Sequence, residues 1–350
     1  MFCAVHAREP TNLGNGVMQL SFRSIAEAEP GPKWQALFAE HWPGYQAWFF
    51  AEGDAARQPY LSSHRALKGA MPELAPTYER LCELAGGGDQ AARFLSLYCP
   101  PPYLTGCSQV VWLGEEPILI RNYDYAPRLC EGSLLCTSWN GRRVIAMSDC
   151  AWGALDGMND SGLAVSLTFG GRRPVGDGFG MPLILRYVLE FCETVEEAAS
   201  ALTRVPTHMA YNVTAVDRSG DFRTLYLSPD RPAVVRRAPL ATNHQGRVEW
   251  HRHAVFTRSL ERERYLQMRL TRKDDRVEAL IADFHKPPLY STDYDDGFGT
   301  LYTAVYYVAR GTAAFSWPNA VWTQSFASFR EETRRVQFPS RVAAKARVPT

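Results

Sequence analysis

The feature that most constrains this chain is the run "CPPPY" at Cys99–Tyr103. Three successive prolines lack the amide N–H, and each restricts the residue before it. Neither a helix nor a central strand continues through such a run. The two sides of the break also differ in hydrophobic period. Between residues 33 and 98, "KWQALFAEHWPGYQAWFFAEG", "TYERLCELAG" and "DQAARFLSLY" carry apolar residues at helical spacing. The spacing predicts helices, with a break near Pro43 and a stop at the glycines 86–88.

After the break the character is that of short strands. "CSQVVWL", "EPILIRNY", "GSLLCTSW", "RRVIAMSD" and "GLAVSLTF" are β-branched or aromatic, and turns such as Asn140-Gly141 divide them. Two helices follow. "MPLILRYVLEFCE" is apolar on most faces and so reads as buried, and "TVEEAASALTRV" opens with Thr194 and Glu197 in capping-box spacing. Strands resume at "MAYNVTAVD", "FRTLYLS", "AVVRRA" and "LATNH", a helical block covers 256–284, and "LYTAVYYVA" with "GTAAFSW" reads as a closing hairpin. This order predicts an α+β sandwich of mainly antiparallel sheets. Residues 1–17 are polar, without period, and read as a disordered lead; Met18 would make an equally good start. The domain reading is therefore a lead over 1–17, a helical segment over 18–106 and a main domain over 107–350.

Composition excludes more than it selects. The net charge of +1 gives no global pull toward nucleic acid or a membrane surface. No apolar run has the length of a membrane span, and the first residues lack a signal-peptide pattern, so a cytoplasmic protein is expected. The eight cysteines form no Cys-x-x-Cys pair, which leaves no support for a zinc ribbon or a dithiol redox motif. No cofactor and no metal is implied. His251 and His253 in "HRH" would share one face of a strand, but no third ligand accompanies them.

The chemistry concentrates in "TGCSQVVWLGEEPILIRNYD", residues 105–124. With Gly114-Glu115 as a two-residue turn, Trp112 faces Pro117, Val110 faces Leu119 and Cys107 faces Asn122. Cys107 then lies beside Arg121 and within reach of Asp124. Strand alternation sends Arg121 and Asp124 to opposite faces, so a shared site requires a bend or bulge at Asn122-Tyr123. A thiol beside a guanidinium ionises more easily, and the thiolate is the nucleophile. A base is missing nearby, although His244 is a candidate. Cleavage before Cys107 would supply one, since a freed α-amino group titrates at about 7.7–8.0.

"TGCS…RNYD" resembles the cysteine branch of the N-terminal-nucleophile hydrolases. It is most similar to the isopenicillin N acyltransferase-like group, and more distantly to the choloylglycine and penicillin V hydrolases. The family pattern of Cys followed by Arg-x-x-Asp on the next strand matches Cys107, Arg121 and Asp124. "GMNDSGLAVSLTFGG" resembles the segment with a backbone oxyanion donor, near Thr168 or Phe169. "ATNH" resembles the segment of the second donor, implying Asn243, and "SLER" implies Arg262 as the later site arginine. "GTLYTAVY" resembles the family's late strand. The resemblance runs from about 105 to 318. It implies a four-layer αββα sandwich and a self-cleaving chain cut between Gly106 and Cys107. The helical 18–106 segment becomes a propeptide that stays associated. The implied activity is acyl transfer or hydrolysis of a linear amide or thioester through an acyl-enzyme, with a small acyl amide or acyl-CoA as substrate; it is compatible with a homo-oligomer. Choloylglycine hydrolases carry the cysteine directly after the initiator Met, whereas 106 residues precede it here, which favours the self-cleaving group.

Blander readings stand beside these. A free cysteine in a strand is ordinarily core; the preceding Gly, the following Ser and the Arg-x-x-Asp strand single out Cys107. Cys3 has no such hairpin. Arg121 with Asp124 also reads as a strand-end ion pair, Asn243 as a turn residue, and Arg262 as part of a charged helix face. Trp139, Trp152 and Trp317 are candidates for an acyl pocket, yet aromatics mostly pack. Two alternatives remain: an uncleaved, non-catalytic relative acting as a binding or assembly module, and a cysteine peptidase dependent on His244.

Overall fold

The computed structural model describes residues 11–13, 17–104, 106–272 and 276–339. Cys3 and most of the 1–17 lead lie outside these residues; the described part includes a short strand at Thr11–Asn12.

Two sheets, both dominated by antiparallel pairs, form the centre. The larger runs from edge to edge through Thr11–Asn12, Val17–Glu27, Ser133–Thr137, Val144–Asp149, Gly153–Asn159, Leu163–Phe169, Tyr211–Asp217, Phe222–Leu227 and Val234–Arg236. Thr333–Pro339 also pairs with Val17–Glu27. The smaller runs through Leu240–Ala241, Gly106–Leu113, Pro117–Tyr125, Phe298–Tyr307, Thr312–Trp317 and Ala320–Ser325. The fold is α+β, as the alternation of strand and helix blocks predicts. Gly153–Asn159, Ala320–Ser325 and Thr333–Pro339 are strands that the sequence reading did not single out.

Each sheet is covered on its outer face. Met181–Phe191 and Val195–Arg204 pack on the larger sheet. The second helix carries the predicted capping box, with Thr194 Oγ1 accepting from Glu197 N at 3.2 Å. On the smaller sheet Val110, Ile118 and Ile120 meet Leu266, Leu280 and Phe284 of the helices Ser259–Leu270 and Val277–Asp283 and the residue just after. Between the sheets lie Val111, Leu119, Tyr123, Leu167, Val213 and Tyr302. Strand alternation therefore assigns odd-numbered residues of 107–123 to the sheet–sheet interior and even-numbered ones to the helical side.

The N-terminal segment departs from the helical expectation at its start. Val17–Glu27 is a strand inside the larger sheet, parallel to Ser133–Thr137 and antiparallel to Thr333–Pro339. Its alternating burial explains this: Leu20 and Phe22 point into the core while their neighbours are half-exposed. Four helices follow, at Pro32–Phe49, Tyr60–Ala70, Ala75–Leu84 and Asp89–Leu95. The expected break at Pro43 does not occur, and the first helix runs through it. A proline interior to a helix loses one hydrogen bond. The buried face of Trp34, Phe38, Tyr45, Trp48 and Phe49 outweighs that loss here.

Phe22 ties this segment to the main domain. It is fully buried, with its ring 5.1 Å from that of Trp317 and 6.2 Å from that of Tyr302. Trp34 Nε1 donates to Ala151 O at 3.0 Å, and Trp152 Nε1 donates to Leu95 O at 3.0 Å. Phe22→Ala is expected to lower stability by about 3–5 kcal/mol, the cost of emptying an aromatic site in a packed core. Urea unfolding followed by tryptophan fluorescence measures it.

Candidate active site

The hairpin that carries the candidate nucleophile is one residue out of the expected register. Leu113 faces Pro117, Val110 faces Ile120 and Cys107 faces Tyr123. The connection is Gly114–Glu116, three residues rather than two. This slip changes which side chains meet, because a one-residue shift exchanges the two faces of a strand. In the expected pairing Cys107 would share a face with Asn122 and Asp124. In the structure it shares one with Arg121 and Tyr123.

The geometry follows from that register. Arg121 Nη2 lies 3.2 Å from Cys107 Sγ, and both side chains are fully buried between the sheets. The guanidinium is held by Asp156 on Gly153–Asn159, to which Nη1 is salt-bridged, and by Tyr302 Oη at 3.2 Å. Asp156 in turn accepts from Tyr302 Oη at 2.7 Å and from Tyr306 Oη. The sequence reading missed Asp156. Its signal was a lone acid in the apolar stretch "GALDGMN", where only a paired charge is tolerated.

Asp124 is on the other face. Its Oδ1 accepts from Thr300 Oγ1 at 2.7 Å and its Oδ2 from Arg262 Nη1 at 3.2 Å. The bend expected at Asn122-Tyr123 is absent. The irregularity sits on the neighbouring strand instead, between Thr300 and Tyr302. There it turns Thr300 to Asp124 and Tyr302 to Arg121. Arg121 and Asp124 thus reach one residue from two sides: Arg121 meets the sulfur of Cys107, while Asp124 and Arg262 lie by its backbone.

Arg262 organises that backbone. Its Nη1 donates to Cys107 O at 2.7 Å and to Ser108 Oγ at 2.8 Å, and its Nη2 donates to Asn243 Oδ1 at 2.6 Å. Arg258 takes a left-handed conformation, φ 50°, and starts the helix that presents Arg262 in its first turn. Ser259 at that helix start binds the "TNH" segment, through Thr242 Oγ1 at 3.0 Å and His244 Nδ1 at 2.8 Å. Asn243 is fully buried; its Oδ1 accepts from Cys107 N at 3.1 Å and its Nδ2 donates to Phe169 O at 3.0 Å. The structure therefore gathers Cys107, Arg121, Asp124, Asn243 and Arg262, with Phe169 against Asn243 at the end of its strand. Gly171 makes this approach possible: it has φ 67°, and a Cβ there would lie 2.2 Å from Asn243 O.

Gly106 has an equally local reason. A Cβ on it would fall 1.9 Å from Phe298 Cε2. The ring of Phe298 lies against the peptide that precedes Cys107, and a larger residue at 106 would have to displace that ring.

Burial alters the expected electrostatics. The Cys107 thiol is pushed up from its ordinary value: burial dominates, and the opposing pull of Arg121 does not cancel it. Asp124 is also raised by burial, against the pull of Arg262 and Thr300. Arg262 is lowered by burial, against Asp124.

The other candidates fall elsewhere. His244 gives its ring to Ser259 and, at 3.3 Å, to Glu263 Oε2. His251 and His253 lie on the helix His251–Phe256 and not on a strand, so their spacing sends them to different sides: His251 is exposed and His253 buried. Among the described residues no group of three or more His, Cys, Asp or Glu could hold a metal ion, and no helix is long and apolar enough to cross a membrane. Trp139, Trp152 and Trp317 donate to Glu27 O, Leu95 O and Leu301 O, and pack rather than line a pocket. The pocket walls come from other aromatics. A cavity of about 710 Å³ is lined by Trp48, Tyr103, Tyr125, Trp250 and Phe256, among others. A second, of about 540 Å³, shares Leu104 and Tyr125 with it and reaches Gly106.

The profile of the family described as acyl-coenzyme A:6-aminopenicillanic acid acyl-transferase matches residues 112–322. Among solved structures, penicillin V acylase from Agrobacterium tumefaciens is 18% identical with a TM-score of 0.45, over 63% of this chain and 87% of that one. A mutant conjugated bile acid hydrolase from Clostridium perfringens, with a cysteine replaced by alanine, is 13% identical with a TM-score of 0.43, over 65% and 96%. The Caenorhabditis elegans ortholog of N-acylethanolamine-hydrolyzing acid amidase is 16% identical with a TM-score of 0.42, over 62% and 99%. Among curated proteins none matches this chain.

Asp156→Asn leaves Arg121 as a buried charge without its carboxylate. A loss of about 3–5 kcal/mol is expected, read as a fall in the urea midpoint. The buried histidines give a pH signature. His208 and His253 are lowered to about 4 by burial. Unfolded, each titrates near 6.5, so the unfolded chain binds more protons between these values. Stability is expected to be full above pH 6.5 and to fall as pH drops toward 4, with a shallower slope in His253→Gln. Urea midpoints across that range test this.

Proposed function

Because the chain belongs to the acyl-coenzyme A:6-aminopenicillanic acid acyl-transferase family, we propose that Cys107 is the nucleophile of a self-processing cysteine acyltransferase or amidohydrolase. The observation that carries this reading is the environment of Cys107. Its sulfur lies 3.2 Å from Arg121 Nη2, while Asn243 and Arg262 hold its amide N–H and carbonyl. A cysteine that only filled core space would need no buried guanidinium.

The first turnover is the chain's own Gly106–Cys107 bond. Sγ adds to the Gly106 carbonyl carbon, the C–N bond to Cys107 breaks, and the thiol proton passes to the departing nitrogen. Water then hydrolyses the thioester, which frees the Gly106 carboxylate and restores the thiol. The new α-amino group sits on the nucleophile itself and acts as its base near neutral pH. This order agrees with the raised thiol of the uncut chain, since the base arrives only with cleavage. A substrate amide or thioester is then attacked in the same way. Arg121 stabilises the sulfur anion, and Asp124 with Arg262 orients the new terminus. The side-chain amide of Asn243 and the backbone N–H of Phe169 serve the oxyanion. Water as acceptor gives hydrolysis, and an amine gives transfer.

The N-terminal segment is proposed to remain bound after the cut. Its strand Val17–Glu27 pairs with both Ser133–Thr137 and Thr333–Pro339. Denaturing electrophoresis and intact mass are expected to give chains of residues 1–106 and 107–350, which co-elute under native conditions. Cys107→Ala is expected to stay whole. A wild-type chain that stays whole on long incubation, with Cys107 unlabelled by thiol reagents, would favour a non-catalytic binding or assembly module. Gly106→Ala should block the cut by collision with Phe298, and Phe298→Ala on that background should restore it. Asn243→Ala is expected to lower kcat by about 10²–10³-fold, the usual effect of one lost oxyanion donor.

A further inference from the structure

The larger cavity has a charged end that the nucleophile chemistry does not use. Asp149 lines it and is half-buried; Glu131, 5% exposed, lies behind. Tyr45 connects them, its hydroxyl 2.6 Å from Glu131 Oε2 and 3.4 Å from Asp149 Oδ1. The same Tyr45 oxygen accepts from Cys150 N at 2.8 Å, and Glu131 Oε2 also accepts from Ala151 N at 2.9 Å. Neither carboxylate has a salt-bridge partner among the described residues. Arg121 is a cation whose charge reaches Asp149, but it is already paired with Asp156.

Two adjacent carboxylates without a matching cation are costly in a half-dry wall. Burial and Glu131 together push Asp149 up to about 7. A second observation points to a missing partner. Glu131 Oε1, on a side chain more than nine-tenths buried, has no hydrogen-bond partner. The hydroxyls of Tyr103 and the fully buried Tyr211 adjoin one another, and neither is satisfied by a well-formed hydrogen bond. The Tyr211 hydroxyl is close enough to Asp149 and Tyr125 to feel their charges. Tyr45, Tyr103 and Tyr125 are near Asp149, and Trp48 lines the same cavity; aromatic rings attract a cation. The lining also carries Arg173 and Arg252, which repel a cation, Arg172, which is already paired with Asp230 and Glu249, and a second acid, Asp296.

We propose that the Asp149–Glu131 end of the cavity binds the ammonium group of an amphipathic amine, whose apolar body lies along the aromatic walls. A role for this amine as the acceptor of an acyl group, which requires the ammonium first to give up its proton, rests on the reading of Cys107 as nucleophile. The binding itself does not. The field of Arg121 links the two sites, since the same guanidinium touches Cys107 Sγ and is felt at Asp149.

The test uses the full-length Cys107→Ala chain and n-octylammonium as probe, with n-octanol and octanoate as neutral and anionic controls, by calorimetric titration at pH 8. Octylammonium is expected to bind at least tenfold tighter than either control. Asp149→Asn on that background is expected to cost about tenfold, whereas Asp296→Asn at the rim should leave the affinity unchanged. A folded-state check by circular dichroism accompanies each variant. If Asp149→Asn does not fold, the pH arm decides. Affinity for octylammonium should rise about tenfold from pH 6 to pH 8 as Asp149 ionises, with Glu131, Tyr45, Tyr103, Tyr123, Tyr125, Cys130, Cys150, Tyr211 and Arg121 as the titratable or charged groups facing it. Equal binding of octanol, an unaffected Asp149→Asn, loss of binding in Asp296→Asn instead, or a flat pH profile overturns the proposal. Wild-type cleavage is read separately by mass. If the wild type cleaves but the Cys107→Ala chain ignores octylammonium, only this inference falls. If octylammonium binds but the wild type never cleaves, the nucleophile reading falls and the ammonium site stands.

Discussion

A guanidinium buried between two sheets organises this molecule. Arg121 has no access to water, and a lone charge in such a place is strongly disfavoured. Everything around it answers that requirement. Asp156 comes from the larger sheet, Tyr302 from the neighbouring strand of the smaller one, and Cys107 from the strand opposite. The sheets are therefore joined at this point by a polar contact, as they also are where Gln109 meets Thr214 and Ser166. Directional partners fix how the two sheets sit over each other more narrowly than apolar packing does.

A second arginine performs the complementary task on the helical side. Arg262 reaches through from its helix and binds Cys107 O, Ser108, Asp124 and Asn243 together. The side chain and the main chain of Cys107 are thus held from opposite faces of one strand. That division keeps the sulfur and the backbone of Cys107 on separate sets of partners. The N-terminal segment is woven into the same structure, since its strand lies within the larger sheet and its Tyr45 and Trp48 wall the cavity.

Much of this arrangement was legible beforehand. The proline run marked the change from helices to strands, and the alternation of Val17–Glu27 was equally visible, although the helices after it drew the whole segment into one reading. The helix through Pro43 was not legible, because propensity argues against it and only the buried aromatic face argues for it. The residue types at Cys107, Arg121, Asp124, Asn243 and Arg262 could be chosen from motif order. Asp156 and the Asp149–Glu131 pair could not, since a carboxylate in a strand acquires meaning only from what faces it across the sandwich.

By itself the sequence determined the class of fold, the strand that carries the cysteine and the residue kinds available to it, because hydrophobic period and short motifs are local properties. Tertiary structure decided which faces those residues occupy. One extra residue in the Gly114–Glu116 turn puts Cys107 on the side of Arg121, and one irregularity at Thr300/Tyr302 on the next strand serves both Arg121 and Asp124. A shift of one residue leaves the pattern of apolar and polar letters unchanged but exchanges the two sides of a strand. Such a choice is made by the packing of sheets and helices around it, and no stretch of sequence contains it.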